Sequence, residues 1–521
     1  MLDILFAAAA VLCSCAAASE TPAASAGSGA AVSPASAPSG GETADTEDEV
    51  VTLEDAVTPL TEEETAEAED GSGLQLTDLV YTDPERYSKY LDRAIEYAET
   101  IRGLYWDGGT CLSKLTPEGG VPYLWPFTEQ SAMVNGILMA MDKDHPKRAY
   151  FEEYLRELIE GLRHYRVRRV NMGDGESWND PFYQIAGFGQ SDGTPHSYAI
   201  YCASRANKKI DNVVAKPDSV YFDDNVWVAK TFYYAWVNTG DEAYLREAAN
   251  IMNWILGEGY ETAGALNGIY WKWSSKFRFK ENGGDSESAS LNTCSTASSA
   301  MILADLVPAL QGTGLEGLSD SYLAASISIF DFCTEVFVDR SNGCLYDKVM
   351  LSRDFASKTS LKDQIRHTDK SQYAYNTGTY MTAGARLYSL LKENDPERAE
   401  AVLSAALRSA KGADTYFADR SVKPGEYSYP SHSWFTSFLV SGFADLAAYD
   451  ALCAEYEDHM RSSLDYAWEH NRSVDGLVCP AWIKGWSRFA GKNDVSEDNP
   501  RQILYQSANA NCLAMLARFY R

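Results

Sequence analysis

The chain has 521 residues, 45% of them hydrophobic and 12% aromatic, with a formal net charge of −29. That length and apolar content suffice for a large buried core. So acidic a chain argues against nucleic acid as a partner, because phosphate binding needs a basic surface.

Met1 to Ser14 reads as a secretion signal, an apolar stretch followed by small residues. Leu12-Cys13-Ser14-Cys15 has the form of a bacterial lipobox, with Cys15 as the acylated first residue of the mature chain, although Met1-Leu2-Asp3 lacks the usual basic residues. An exported protein is expected, anchored to the bacterial membrane by lipid alone. Cleaved soluble secretion is the alternative. Residues 16–76 carry 14 Asp or Glu, no Lys or Arg and no aromatic residue. Such a segment buries too little apolar surface to offset its ordering entropy, so it is expected to be a disordered tether. Its reach would be roughly 40–45 Å.

From Thr77 to Arg521 the pattern becomes amphipathic and helical. The candidate helices are 84–104, 128–142, 148–165, 222–239, 241–257, 292–311, 318–338, 373–393, 396–412, 432–449, 452–470 and 503–520. Short turns join them in pairs. In Asn238-Thr239-Gly240-Asp241, glycine ends one helix and aspartate starts the next. Asp395-Pro396 opens another with proline in its first turn. Six such hairpins predict an all-α fold, an (α/α)6 toroid with an inner and an outer ring. A helical solenoid is the alternative, and no repeat period supports it. Residues 166–221 form a long insertion rich in Gly, Asp, Asn and Ser, of a length that is usually functional or holds small elements of its own.

The eight cysteines beyond the signal are scattered, which suits neither a disulfide scaffold nor a CxxC metal site. Cys333 with Cys344 is a conceivable disulfide, and buried free thiols are the other reading. Seven histidines, none in HxxH or HExxH spacing, argue against a metal centre. Asp174, Asp180 and Asp192 do not have the spacing of a calcium loop. No cofactor is expected, since Gly187-Phe188-Gly189 lacks the setting of a nucleotide site.

Chemistry concentrates at Tyr221-Phe222-Asp223-Asp224-Asn225-Val226-Trp227. Two adjacent carboxyls cannot both ionise easily, so one pKa should rise. A charged and a protonated carboxyl side by side are what acid/base cleavage of a glycosidic bond needs. Aspartates in a first helical turn can equally be there for the helix dipole.

This segment, with Trp236-Val237-Asn238-Thr239-Gly240-Asp241-Glu242-Ala243-Tyr244-Leu245 after it, resembles glycoside hydrolase family 76, the endo-α-1,6-mannanases. Asn267-Gly268-Ile269-Tyr270-Trp271, Leu291-Asn292-Thr293, Tyr375-Asn376-Thr377-Gly378-Thr379 and Gln506-Ser507-Ala508 follow in the family's order over most of residues 80–521. The ordered set carries the resemblance more than any single motif. It implies a six-hairpin toroid and a retaining reaction, with Asp223 as nucleophile and Asp224 as general acid/base. Adjacency suits retention, where the carboxyls lie only about 5–5.5 Å apart. The substrate would be an α-mannan-like polysaccharide, and the enzyme a monomer at the cell surface. Substrate-binding candidates are Tyr221, Asn225, Trp271, Trp273, Asn292, Tyr375, Asn376, His432 and Trp434, with Trp125 nearby. Each aromatic ring is as readily core as sugar platform, an Asn at a helix start is more often a cap, and a lone His is more often structural. The departures are Val228, Tyr270, Thr377 and the long 166–221 insertion. Another toroidal glycosidase, such as an unsaturated-glucuronyl hydrolase, and a non-catalytic glycan-binding lipoprotein are the competing readings.

Overall fold

The computed structural model describes residues 81–173, 176–179, 199–205, 210–275, 289–422, 426–430, 432–489 and 499–521. The signal, Cys15, the tether, Asp174, Asp180 and Asp192 lie outside them. Among the described residues twelve α-helices have 13 residues or more: α1 Pro84–Tyr105, α2 Leu124–Ala140, α3 Arg148–Leu162, α4 Phe222–Thr239, α5 Glu242–Trp254, α6 Thr293–Ala309, α7 Ser319–Phe332, α8 Ala374–Leu391, α9 Pro396–Phe417, α10 Ser433–Ala447, α11 Ala451–His470 and α12 Ile503–Phe519. Each answers to one of the twelve candidates in the sequence. The candidates 241–257 and 318–338 run past their α-helices because π turns, Ile255–Gly259 and Cys333–Phe337, extend both.

The even-numbered helices pack in a closed inner ring, α2 on α4, α4 on α6, α6 on α8, α8 on α10, α10 on α12, and α12 back on α2. Each odd-numbered helix lies outside, α3 on α2, α5 on α4, α7 on α6, α9 on α8, α11 on α10 and α1 on α12. Closure distinguishes this (α/α)6 toroid from a solenoid. The sixth pair joins the first and last helices, where the Asp83 amide donates to the Tyr520 carbonyl at 2.9 Å.

Burial follows the rings. In α3, on the outside, 7 of 15 residues are buried on one stripe, whereas in α6, inside, 15 of 17 are. A helix covered all round must satisfy its polar groups internally. The hydroxyls of Thr296 and Ser299 accordingly donate to the Asn292 and Ser295 carbonyls, each at 2.7 Å. Small residues allow close approach. A Cβ on Gly378 of α8 would collide with the Phe438 carbonyl of α10. Gly378→Val is therefore expected to cost about 1–3 kcal/mol from overpacking, read as a lowered denaturation midpoint.

The outer helices return antiparallel through short turns, so all six inner helices run the same way. Their N-termini, with the long connections before them, gather at one end. The two ends are finished differently. Asp83, Asp241, Asp395 and Asp450 cap outer helices α1, α5, α9 and α11 with side-chain hydrogen bonds. Of the inner helices only α10 has such a cap, from His432. The long-loop end thus presents uncapped N–H groups and the positive ends of helix dipoles.

The long connections hold small sheets that helical periodicity did not reveal. One consists of β1 Ser290–Asn292, β2 Tyr346–Leu351 and β3 Ile365–Gln372, with β2 in the middle and all pairs antiparallel. The insertion at 166–221 carries another, from Val167–Gly173, Glu176–Asn179 and Val213–Ala215. All eight cysteines of the described residues are free, so the conceivable Cys333–Cys344 disulfide is absent. Among the described residues no helix is long and apolar enough to cross a membrane, and no group of three His, Cys, Asp or Glu is placed to hold a metal ion.

Candidate active site

Asp223 and Asp224 are the second and third residues of α4, at the mouth of the inner ring, and both are half-buried. Asn225 fixes the turn that presents them. Fully buried, its side chain accepts from the Tyr201 amide at 2.8 Å and donates to the carbonyls of Tyr201 at 2.9 Å and Tyr221 at 2.7 Å. With those bonds made, Asn225 is a structural pin and not the sugar contact expected from the sequence. Asn225→Ala strands the buried amide and carbonyl of Tyr201 and should cost on the order of 3 kcal/mol, measurable by chemical denaturation.

The indole N–H of Trp271 donates to Oδ2 of Asp223 at 3.3 Å. Oδ1 of Asp223 is buried without a hydrogen-bond partner, and the Cys294 thiol and the amides of the first turn lie close to the carboxyl. Burial pushes the Asp223 carboxyl up to about 6, and these donors hold it down from going further. Asp224 is pushed well above the usual carboxylate range, first by burial and then by the charge of Asp223. Of the two, Asp224 is displaced further from the ordinary carboxylate range and holds its proton to higher pH.

A third carboxyl, missed in the sequence, joins them. The alternation of β2 turns Asp347, Val349 and Leu351 inward. Asp347 is 5% exposed and pushed up to about 6, chiefly by burial, with Asp369 and Asp223 adding to the rise and Lys348 and Asn376 opposing it. The signal was a carboxylate on the apolar face of a period-two segment, visible only once that segment is read as a strand. Asn376 beside it is fully buried, and its side-chain amide makes no hydrogen bond. Tyr375 is half-buried, its hydroxyl within the field of Cys294, Asp347 and Asp223. Its ring stacks on Phe435, 4.5 Å between centroids.

His432 lies across the bore at the start of α10. Its Nδ1 accepts the Phe435 amide at 3.3 Å, which leaves the ring proton on Nε2, an atom with no hydrogen-bond partner. Burial drives its pKa down to about 3, so the imidazole is a neutral donor. Trp125 lies parallel to it, 6.0 Å away.

Other candidates are placed differently. Trp273 and Trp434 are 2% and 3% exposed. Trp273 packs edge-on to Trp254 and belongs to the core. Trp434 forms the floor beneath the mouth, against Trp125, Trp227, Tyr375 and Phe438. Neither offers a face to a sugar. Asn292 is 5% exposed and accepts from the Ser290 hydroxyl at 2.7 Å without capping α6. Tyr221, 8% exposed, meets Trp271 edge-on at 5.2 Å. The Lys272 ammonium, unforeseen in the sequence, lies 5.2 Å from the centroid of Tyr221 and 4.7 Å from that of Trp271. One face of Trp271 is thus covered by a cation.

A closed helical double ring with two unequal carboxyls at the mouth of its inner ring defines the class, a toroidal glycoside hydrolase. The model of glycosyl hydrolase family 76 matches residues 199–509, more than half of the chain, and the chain belongs to that family. Solved structures share the fold. A family 76 mannosidase, Bt3792 from Bacteroides thetaiotaomicron, is 18% identical with a TM-score of 0.61, covering 82% of this chain and 98% of its own. An α-1,6-mannanase, GH76A of Salegentibacter sp. HEL1_6, is 16% identical with a TM-score of 0.55, covering 82% of this chain and 99% of its own. That structure is an inactive variant with two consecutive aspartates changed to asparagine, in complex with α-1,6-mannotriose. Dfg5 from Chaetomium thermophilum, in complex with glucosamine, is 14% identical with a TM-score of 0.53, covering 83% of this chain and 92% of its own. Among curated protein sequences none matches the chain.

Proposed function

We propose that this protein is a retaining glycosidase that cleaves α-1,6-mannosidic bonds in mannan-type polysaccharide, exported and held at the cell surface by a lipid on Cys15. The observation that carries the reading is the unequal pair, a lower-pKa Asp223 with one oxygen oriented by Trp271 beside a protonated Asp224. Asp223 attacks the anomeric carbon as the glycosidic C–O bond breaks, and Asp224 gives its proton to the departing oxygen. Asp224, now a carboxylate, takes a proton from water as that water displaces Asp223 from the sugar. Both carboxyls return to their first state. Asp347, Asn376, Tyr375 and the Nε2–H of His432 supply acceptors and donors for the sugar hydroxyls.

The test is incubation with linear α-1,6-mannan, with proton NMR following the first anomer released. Oligosaccharides that appear first as the α-anomer support the reading. The β-anomer would make the reaction inverting. Binding without release would leave a glycan-capture protein, and cleavage confined to unsaturated uronyl ends would give the substrate to the competing enzyme class. Labelling with radioactive palmitate, lost in Cys15→Ser, tests the anchor.

A further inference from the structure

Beneath the aromatic floor, the bore of the inner ring holds an ionisable pair that the mechanism above does not use. Glu129 of α2 is 5% exposed. Its Oε2 accepts the Trp434 indole N–H of α10 at 2.9 Å, and its Oε1 accepts the Asn511 amide of α12 at 3.0 Å. Lys230 of α4 lines the same small cavity, about 10 Å³, close to the room that one water needs. The Lys230 ammonium lies 5.0 Å from the ring centroid of Phe438 and 5.8 Å from that of Trp227. Burial raises the Glu129 carboxyl to about 7 and lowers the Lys230 ammonium.

A buried carboxylate is a poor way to stabilise a core, since apolar groups of the same volume often do as well or better. What Glu129 does hold is one ring. Trp434 touches Trp125 at 4.8 Å, Tyr375 at 5.3 Å, Trp227 at 5.6 Å and His432 at 6.2 Å between centroids. Trp227 lies one turn below the carboxyl pair on α4, and the other three form the wall across from it. The only polar atom of the Trp434 side chain is bonded to Glu129, so the carboxylate selects one orientation of the indole.

We propose that Glu129 is a positioning residue for the hydrolysis: it fixes the indole of Trp434 and, through that ring, the Trp125–His432–Tyr375 wall of the cleft. The role rests on the glycosidase reading. In Glu129→Gln the amide NH2 must face one of the donors that the carboxylate now accepts. On α-1,6-manno-oligosaccharides kcat should fall about 10- to 100-fold, as for other small displacements of a catalytic site, while KM moves less than about threefold. Trp434→Phe keeps an aromatic ring in the floor but removes the N–H together with the rest of the indole, so it should give at least the same loss with an unchanged helical circular dichroism spectrum. In the Trp434→Phe background Glu129→Gln should add almost nothing, because the two act as one unit. Equal losses in both backgrounds, or wild-type kcat in Trp434→Phe, would overturn the proposal. Should Glu129→Gln not fold, Trp434→Phe alone decides. Wild-type protein inert on every α-mannan would instead sink the glycosidase reading itself.

Discussion

Asp223→Asn is expected to lower turnover of α-1,6-mannan by at least about 10⁴-fold, and Asp224→Asn by about 10²–10⁴-fold, the range for loss of a general acid. The two losses differ in kind. An asparagine at 223 can neither attack the anomeric carbon nor stabilise positive charge there, so no better leaving group restores the rate. At 224 only proton transfer is lost. An aryl mannoside, whose leaving group needs no proton, should form the glycosyl-enzyme in Asp224→Asn, and added azide should then release a mannosyl azide of retained configuration. Azide rescue of Asp223→Asn with inverted configuration is the corresponding result for the nucleophile. Rescue of neither variant, or near wild-type turnover in either, would remove the assignment. Stability moves the other way. Both carboxyls are raised by burial, so holding them costs folding energy that a neutral amide avoids. Asp224→Asn is expected to raise Tm at neutral pH by roughly 1–3 °C, measured by calorimetry.

Much of this site could be read from sequence because it is built on helix starts. Asp223, Asp224, Asn292, Tyr375, Asn376, His432 and Trp434 all lie at the N-termini of inner helices, where apolar periodicity begins and can be counted. The ring itself was legible through short turns such as Gly240-Asp241, where a left-handed glycine (φ 75°) precedes an aspartate cap. What stayed hidden depends on contacts across the fold. Asp347 sits in a six-residue strand whose alternation is too brief to stand out in a helical chain. The side chain of Asn225 looked free for substrate, but it is engaged by the backbone of Tyr201, 24 residues away. Trp273 and Trp434 read the same as Trp271 in sequence, and only packing separates the floor and core from the rim. Lys272 follows Trp271 directly, yet its position over two rings arises from the antiparallel bridge between Tyr221 and Lys272.

The pH dependence of kcat/KM follows from the inequality of the pair. On the proposed mechanism catalysis needs Asp223 ionised and Asp224 protonated, so the profile is a bell. Its acid limb should rise through pH of about 6, where Asp223 loses its proton. Its alkaline limb belongs to Asp224, raised first by burial and then by Asp223, and lies at higher pH. Asp347 supplies an internal check. Its charge and that of Asp223 raise one another, so Asp347→Asn should move the acid limb to lower pH and leave the alkaline limb in place. The limbs also leave a mark on stability. Both folded-state pKa values lie above the unfolded value of about 3.9, so the contribution of these groups is fully present below about pH 4 and is lost as pH rises through each folded pKa. Wild-type Tm should therefore decline relative to Asp224→Asn as pH rises from about 4 towards the alkaline limb. A kcat/KM that is flat between pH 5 and pH 8, or a Tm difference that does not widen with pH, would mean that the two carboxyls share no proton and that the cleft works by other groups.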